Sequence, residues 1–348
     1  MSSTRPSRLL DQVAWCCRRR NYSARTAEAY VYWTRRFVLH HRKAHPTKLG
    51  ESHVRAFLDA LIRTGVAAAT HSQALCALVF LYRDVLGTPF EWLDTLERPK
   101  RPQRLPTVLS PEQVARVLEA MDGTAALQAR LIYGSGLRLR ECLELRVKDL
   151  QWDRAAIVVR AGKGGKDRLT LLPASLRHEL RAQVAKVAAE HRLRVARGGG
   201  YAPLPGRLVR KHPAAARALP WQFVFSAATD RWNAETGRWE RWHASPSTLQ
   251  REFRQAVRRA GIAQAASVHT LRHAFATHLL RTGTDVRTLQ ELLGHAKLDT
   301  TMIYTHVEDV HRSVASPLDG LAGPDCRAGG GRQGSGAREG RGVRYSKS

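Results

Sequence analysis

Cysteine is scarce in this sequence of 348 residues and follows no framework. The count is odd, and there is no CxxC pair and no cluster of histidine with cysteine, so neither a disulfide framework nor a zinc site is predicted. The five cysteines are Cys16, Cys17, Cys76, Cys142 and Cys326. We therefore expect a protein of a reducing compartment, the cytoplasm.

Long apolar runs are also missing. No run approaches the roughly 18 apolar residues of a membrane-spanning helix, and the polar start lacks the apolar stretch of a signal peptide. The sequence has no acidic cluster able to hold Mg²⁺ and no GxxxxGK(S/T) loop for a nucleotide. We therefore expect no membrane partner, no metal and no cofactor.

Acidic side chains are few. Asp and Glu number 30 against 57 Lys and Arg, which gives a net charge of +27. This surplus favours a polyanionic partner and indicates nucleic acid. Hydrophobic residues make up 43% of the chain, enough for packed cores, and the length suits two domains. At this point a passive nucleic-acid binder, such as a ribosomal protein, is the alternative to an enzyme.

The first part of the chain, residues 1–98, shows helical periodicity and no alternating strand pattern. A helix near Ser52 is expected to place one set of apolar residues on one side: Val54, Phe57, Leu58, Leu61 and Ile62. Residues 99–106 form a basic linker in which three prolines prevent a helix. Its cations could lie along DNA phosphates or simply remain solvated.

The second part, residues 107–316, mixes helices with a small β-hairpin. A capping pattern begins a helix at Ser110-Pro111. Strands at 156–160 and 168–172 flank a glycine-rich turn. Further helices are predicted near 174–194, 248–260, 270–282, 285–293 and 299–304. The predicted fold class is therefore mainly α with a small β-sheet, an α+β arrangement.

Two kinds of segment depart from this pattern. Residues 197–220 are rich in Gly, Pro, Arg and Ala, and residues 226–247 place tryptophans among charges. Residues 317–348 combine repeated glycines with scattered arginines and show no apolar periodicity, so we expect a disordered Gly/Arg-rich tail.

Six residues supply the groups needed to break a phosphodiester through a covalent bond to tyrosine. They are Arg138, Lys163, His269, Arg272, His295 and Tyr304. Two guanidinium groups can stabilise the charge that grows on the phosphate in the transition state. A phenol with a pKa near 10 needs a base, His269 or His295, before it attacks phosphorus. Lys163 could protonate the departing 5′ oxygen.

Taken singly, each of these residues has an ordinary structural explanation. A tyrosine near a helix end is usually structural, and a histidine after Leu293-Gly294 could cap a helix. Lys163 could belong to a solvated turn, and Arg138 could form a surface salt bridge. One helical turn separates His269 from Arg272, so these two can project together. The joint occurrence of all six in this order favours catalysis.

These residues stand in segments that resemble the boxes of the tyrosine recombinase family. The segments are Gly136-Leu137-Arg138-Leu139-Arg140-Glu141, Gly162-Lys163-Gly164-Gly165-Lys166-Asp167-Arg168, His269-Thr270-Leu271-Arg272-His273, and Leu293-Gly294-His295 with Tyr304-Thr305-His306. The resemblance covers about residues 5–316. It implies that the six residues are catalytic around the nucleophile Tyr304, with Glu141 as a supporting residue.

The family resemblance also implies a mechanism and an architecture. The intermediate would be a 3′-phosphotyrosyl linkage with a free 5′-hydroxyl, and neither ATP nor a metal would be required. A helical core-binding (SAM-like) domain at 1–98 and a catalytic domain at 107–316 would form a C-shaped clamp on DNA. Four protomers would assemble as a homotetramer on two sites, and residues 306–316 would dock into a neighbour.

Within that family, the chain is most similar to the bacterial integron integrases. The segments in which this similarity is seen are Ala218-Leu219-Pro220-Trp221-Gln222-Phe223-Val224-Phe225, Gly237-Arg238-Trp239, Glu291-Leu292-Leu293-Gly294-His295 and Thr300-Thr301-Met302-Ile303-Tyr304-Thr305-His306-Val307. An extra segment at about 190–245 matches the insertion of that group. The resemblance implies integration and excision of gene cassettes at sites folded from one DNA strand.

Bases that protrude from such a folded site would need stacking partners and charge. Aromatic rings stack on bases with about 1–3 kcal/mol per base. Lys211, Trp221 and His243 are the residues predicted to contact an extrahelical base, although Trp221 could equally be a core residue. The chain departs from the expected His-His pair, because it carries Trp242-His243 there.

Three alternatives remain open from the sequence. A chromosomal or phage-type recombinase would use the same chemistry on duplex sites. A type IB topoisomerase would use the same nucleophile and reseal the same strand. A catalytically dead DNA-binding protein would retain the fold without an assembled site.

Overall fold

The computed structural model describes residues 6–88, 107–160, 167–206, 208–294 and 315–321. The chain divides into two compact units, Met1–Leu105 and Pro106–Ser348. Among the described residues, no helix combines the length and the apolar character needed to cross a membrane. The predicted linker at 99–106 lies outside the described residues.

The described part of the first unit is helical. Its α-helices are α1 (Leu9–Arg19), α2 (Ala24–His40), α3 (Glu51–Arg63) and α4 (Ala68–Phe80). A 3₁₀ turn, Pro46–Lys48, precedes α3, and a π-helical turn, Leu81–Leu86, continues α4. Their apolar faces form one core around Phe37 and Leu78, both of which have no exposed surface. Tyr82 lies in the same core and donates a hydrogen bond to the carbonyl of Leu49 (3.0 Å).

The predicted apolar side of α3 is correct at four of its five positions. Val54, Phe57, Leu58 and Leu61 are buried. Ile62 is 56% exposed instead. It follows Leu61 by 100° around the helix, which turns its side chain away from α4.

Helices also dominate the second unit. They are α5 (Pro111–Glu119), α6 (Gly123–Ser135), α7 (Leu139–Leu143), α8 (Arg177–Ala196), α9 (Leu208–Lys211), α10 (Pro246–Arg259), α11 (Val268–Arg281) and α12 (Val286–Leu293). The capping pattern predicted at Ser110 is present, because its hydroxyl accepts the backbone N–H of Gln113 and the Gln113 side chain accepts the N–H of Ser110. The helix predicted at 299–304 lies outside the described residues.

Two antiparallel sheets complete the described fold. The first has the strand order β1 (Leu150–Gln151), β2 (Ala156–Val159) and β3 (Arg168–Leu171). The second pairs β4 (Arg231–Asn233) with β5 (Arg238–Glu240). In the first sheet Val159 pairs with Arg168, so the two predicted strands pair antiparallel as expected, whereas the predicted turn lies outside the described residues. A mainly helical chain with small sheets confirms the predicted fold class.

The expected start of disorder at residue 317 is wrong for residues 317–321. Leu318 is buried, and the Asp319 carboxylate accepts the backbone N–H groups of Ala174 (3.0 Å) and Ser175 (2.9 Å). A Cβ atom on Gly134 would lie 3.0 Å from Leu318, so the absence of a side chain there makes room for it. The composition of the tail concealed this short apolar and acidic anchor.

Candidate active site

The turn between α6 and α7 places Arg138. Gly136 ends α6 with φ +64°, and a Cβ atom there would lie 2.5 Å from the ring of Phe275. Only glycine fits both the left-handed backbone and this close approach. The chain therefore reverses sharply, as the glycine break in the sequence predicts, and Arg138 lies at the N-cap of α7.

Helix α11 supplies His269 and Arg272. The helix begins at Val268, so His269 lies in its first turn and Arg272 follows one turn later. Arg272 is only 4% exposed. Its guanidinium group donates to the carbonyl of Gly136 and to that of Leu293 (2.7 Å). One side chain therefore joins the C-terminal ends of α6 and α12.

Glu141 lies at the centre of the site and contacts three arginines. Its carboxylate accepts the backbone N–H of Arg138 (2.9 Å) and a guanidinium N–H of the same residue (2.6 Å). Arg168 donates to both carboxylate oxygens, at 3.0 and 2.6 Å. Arg272 lies 3.8 Å away. Three guanidinium groups around one carboxylate give the cluster a net positive charge, which suits a phosphate.

Burial and charge set the pKa values of this cluster. Burial raises the pKa of Glu141, but the hydrogen bonds and charges of Arg168 and Arg138 outweigh it and lower the pKa to about 2. Burial, followed by repulsion from Arg138, lowers the pKa of Arg272 to about 9. Both groups remain charged near neutral pH.

His269 lies beside this cluster at the surface. Its ring centroid is 4.6 Å from that of His273, in an edge-to-face arrangement. Desolvation lowers the pKa of His269, and the neighbouring charges of His273, Arg272 and Arg138 lower it further. A neutral imidazole is favoured near neutral pH, which is the form that can accept a proton.

Three of the six predicted catalytic residues, Lys163, His295 and Tyr304, lie outside the described residues. The structure brings the other three, Arg138, His269 and Arg272, together with Glu141.

In the part of the chain that the structure describes, the residues predicted to contact a base form no hydrogen bond or ion pair with Glu141, although His243 lies 3.8 Å from Glu144 at the end of α7. Trp221 is half-buried, and the ammonium group of Lys148 lies 3.0 Å from its ring centroid. His243 packs edge-on against Phe223, with the ring centroids 5.6 Å apart. Lys211 is exposed at the end of α9. Within the described ranges, no hydrogen bond, ion pair or ring contact joins Lys211 to Trp221 or His243.

The sequence reasoning missed two features. Arg168 ends the segment Gly162–Arg168 that resembles a family box, but its contact with Glu141 was not predicted. Arg168 and the buried Thr170 are two residues apart and therefore lie on the same side of the strand, which was the available sign that Arg168 faces inward. The β4–β5 hairpin was also missed. It carries the exposed pair Trp232 and Trp239, with ring centroids 5.8 Å apart. Gly237, with φ +63°, was the turn signal.

Profiles of two families match the chain. The Phage integrase family matches residues 107–311, and the N-terminal SAM-like domain of phage integrases matches residues 9–92. An "Integrase/recombinase" of Escherichia coli is 46% identical over 319 residues, which cover 91% of this chain and 95% of the relative. The tyrosine recombinase XerD of Caulobacter vibrioides is 35% identical over 269 residues, with 74% and 77% covered.

Solved structures agree on the fold. A lambda integrase fragment in a dimer bound to a COC′ core site matches with a TM-score of 0.56 and 16% identity, covering 85% of this chain and 98% of that one. XerH recombinase bound to its difH substrate matches with a TM-score of 0.52 and 20% identity, covering 86% and 82%. From its profiles and relatives, the chain belongs to the Phage integrase family, the tyrosine recombinases.

Proposed function

We propose that this recombinase cuts and rejoins DNA through a covalent bond between Tyr304 and the 3′ end of the broken strand. The observation that carries the proposal is the cluster of Arg138 and Arg272 around Glu141, beside His269. The three guanidinium groups of Arg138, Arg168 and Arg272 around one carboxylate leave this cluster with a net positive charge, which suits a phosphate.

Each residue has a proposed role in the transesterification. Arg138 and Arg272 hold the nonbridging oxygens of the scissile phosphate and stabilise their growing charge. The Tyr304 oxygen attacks phosphorus and its proton passes to His269 or His295, while Lys163 gives a proton to the departing 5′ oxygen. The P–O bond to tyrosine replaces the P–O bond that breaks, so the step needs no ATP. The cationic side chains supply the charge that a metal would otherwise provide.

For the substrate, we propose integration and excision of gene cassettes, as in the integron integrases. The support is the segment at about 190–245, which carries Lys211, Trp221 and His243 together with the exposed Trp232 and Trp239. Exposed rings beside arginines suit bases that protrude from a folded single strand. A homotetramer on DNA is part of this proposal, supported by the likeness in fold to lambda integrase, which was solved as a tetramer bound to a Holliday junction.

A second candidate is a chromosomal or phage-type recombinase that acts on duplex sites. One observation favours it: Lys148 lies over the ring of Trp221, so one stacking face of that tryptophan is already occupied.

One experiment separates these proposals. The full chain is incubated with a folded bottom strand of a cassette site, with its complementary strand and with the duplex, and covalent adducts are trapped by denaturation. We expect an adduct with the folded bottom strand, and none from Tyr304→Phe with binding retained. An adduct confined to the duplex would support the second candidate, and an adduct formed by Tyr304→Phe would refute the nucleophile.

A further inference from the structure

Arg168 joins three parts of the active site. It is the first residue of β3, and its side chain is 9% exposed. Two guanidinium nitrogens pair with the two oxygens of Glu141, and Nε donates to the carbonyl of Leu292 at 2.9 Å. This fork contacts α7 on one side and α12 on the other, which is a geometry that lysine cannot reproduce.

The end of α12 is held by two arginines acting on consecutive carbonyl groups. Arg168 binds the carbonyl of Leu292, and Arg272 binds that of Leu293. The helix then ends at Gly294, with φ +62°, where a Cβ atom would lie 2.8 Å from Cδ of Arg168. The missing side chain at Gly294 therefore lets Arg168 approach the helix end.

Arg168 also determines how Glu141 is shared. The carboxylate has two oxygens, and Arg168 binds both. Arg138 uses one guanidinium nitrogen for Glu141, and Arg272 stays 3.8 Å away. Without Arg168, the carboxylate would be free to turn, to accept a second guanidinium N–H of Arg138 and to approach Arg272 more closely than 3.8 Å. Those contacts would offset the positive charge of the two guanidinium groups that meet the phosphate in the proposed function.

We propose that Arg168 is a positioning residue of the recombinase. It holds both oxygens of Glu141 and the end of α12, and thereby leaves the positive charge of Arg138 and Arg272 available to the phosphate and keeps the two side chains oriented toward it. This inference rests on the proposed function, and it adds Arg168 to Glu141 as a second side chain that supports the six proposed catalytic residues without contacting the DNA.

The test compares Arg168→Ala and Arg168→Lys with the wild type in the rate of covalent capture at saturating DNA. The probe is whichever cassette-site DNA the wild type captures. We expect Arg168→Ala to slow capture by about 10- to 100-fold, since small misplacements in an active site cost rates of that order. The dissociation constant should stay within about twofold, and Arg168→Lys should lie between the two.

A second DNA carries a methylphosphonate at the scissile position, which removes the charge that the arginines meet. If Arg168 acts by leaving the charge of those arginines available to the phosphate, its loss should slow capture of this DNA less, with a deficit at least about threefold smaller. A purely structural defect would slow capture of both DNAs equally. Arg130→Ala is the matched control, because Arg130 forms a similar two-pronged pair with Glu179 away from the site, and its rate should not change.

The outcomes are distinct. A folded Arg168→Ala protein with the wild-type rate, or with the same deficit on both DNAs, would overturn the positioning role and leave the proposed function intact. If Arg168→Ala does not fold, Arg168→Lys decides in the same way. A wild type that captures none of the DNAs would refute the proposed function, and this inference with it.

Discussion

Replacing Glu141 with glutamine tests the electrostatics of the arginine cluster. The substitution keeps the size of the side chain and removes its charge, so Arg138, Arg168 and Arg272 are left without their shared carboxylate. The pKa of Glu141 falls from 4.5 to about 2 on folding, because Arg168 and Arg138 outweigh the effect of burial. Each pKa unit is worth about 1.4 kcal/mol, so the charged form contributes about 3 kcal/mol. Breaking one partner of a buried pair costs a similar amount, about 3–5 kcal/mol.

The assay is calorimetric unfolding of the full chain near pH 7. A loss of about 3 kcal/mol should lower the midpoint of the second unit by roughly 6–12 °C, at about 2–4 °C per kcal/mol for a unit of this size. The control is Glu179→Gln, whose pair with Arg130 is 31–40% exposed and should contribute less than about 1 kcal/mol.

The pH dependence gives a second check on the same variant. The folded pKa of Glu141 is below its ordinary value, so its contribution is complete above about pH 4.5 and is lost as the pH falls toward 2. The stability difference between wild type and Glu141→Gln should therefore be constant near neutral pH and shrink below about pH 4.5. A variant as stable as Glu179→Gln, or a difference that does not change in acid, would contradict the reasoning.

Three further outcomes are expected. In a plot of the capture rate against pH, the midpoint of the acid limb should lie below pH 6.5, because the pKa of His269 is lowered from that value. The variant His273→Ala should move this midpoint upward, because the charge of His273 contributes to the lowering. A midpoint above pH 6.5 would exclude His269 as the group that titrates. The substitution Leu318→Ala should lower the free energy of unfolding by about 2–3 kcal/mol, far more than Leu321→Ala, because Leu318 is buried. Equal effects of the two substitutions would contradict the anchoring of residues 317–321 by Leu318. DNA affinity should fall by about 10³-fold or more between 50 and 200 mM salt, as for proteins that neutralise many phosphates; a flat profile would contradict binding by the basic surface.

Much of the fold could be predicted because its signals are local. Helix starts at Ser110 and the apolar face of α3 follow from capping and periodicity, and the β2–β3 hairpin follows from its glycine-rich turn. The anchor at Leu318 was not predictable, because a buried leucine in a glycine-rich tail has no periodic neighbours. Its partner groups, near Gly134 and Ser175, are more than 140 residues away along the chain.

The candidate active site likewise combines features that the sequence predicts with one that it does not. The order of the box residues along the chain predicts that six of them are catalytic, and the three that the structure describes, Arg138, His269 and Arg272, lie together with Glu141. The sharing of Glu141 among three arginines could not be predicted, because it depends on where β3 begins relative to α7. The alternation along β3 places Arg168 on the same side as the buried Thr170, but it does not identify a partner 27 positions earlier in the chain.

Mapping the covalent adduct is the most direct test of the central claim. The trapped protein–DNA complex is digested, and mass spectrometry locates the modified amino acid and the DNA end attached to it. We predict a phosphodiester between Tyr304 and the 3′ end, with a free 5′-hydroxyl on the released strand. Attachment to any other residue, or to the 5′ end, would contradict the account.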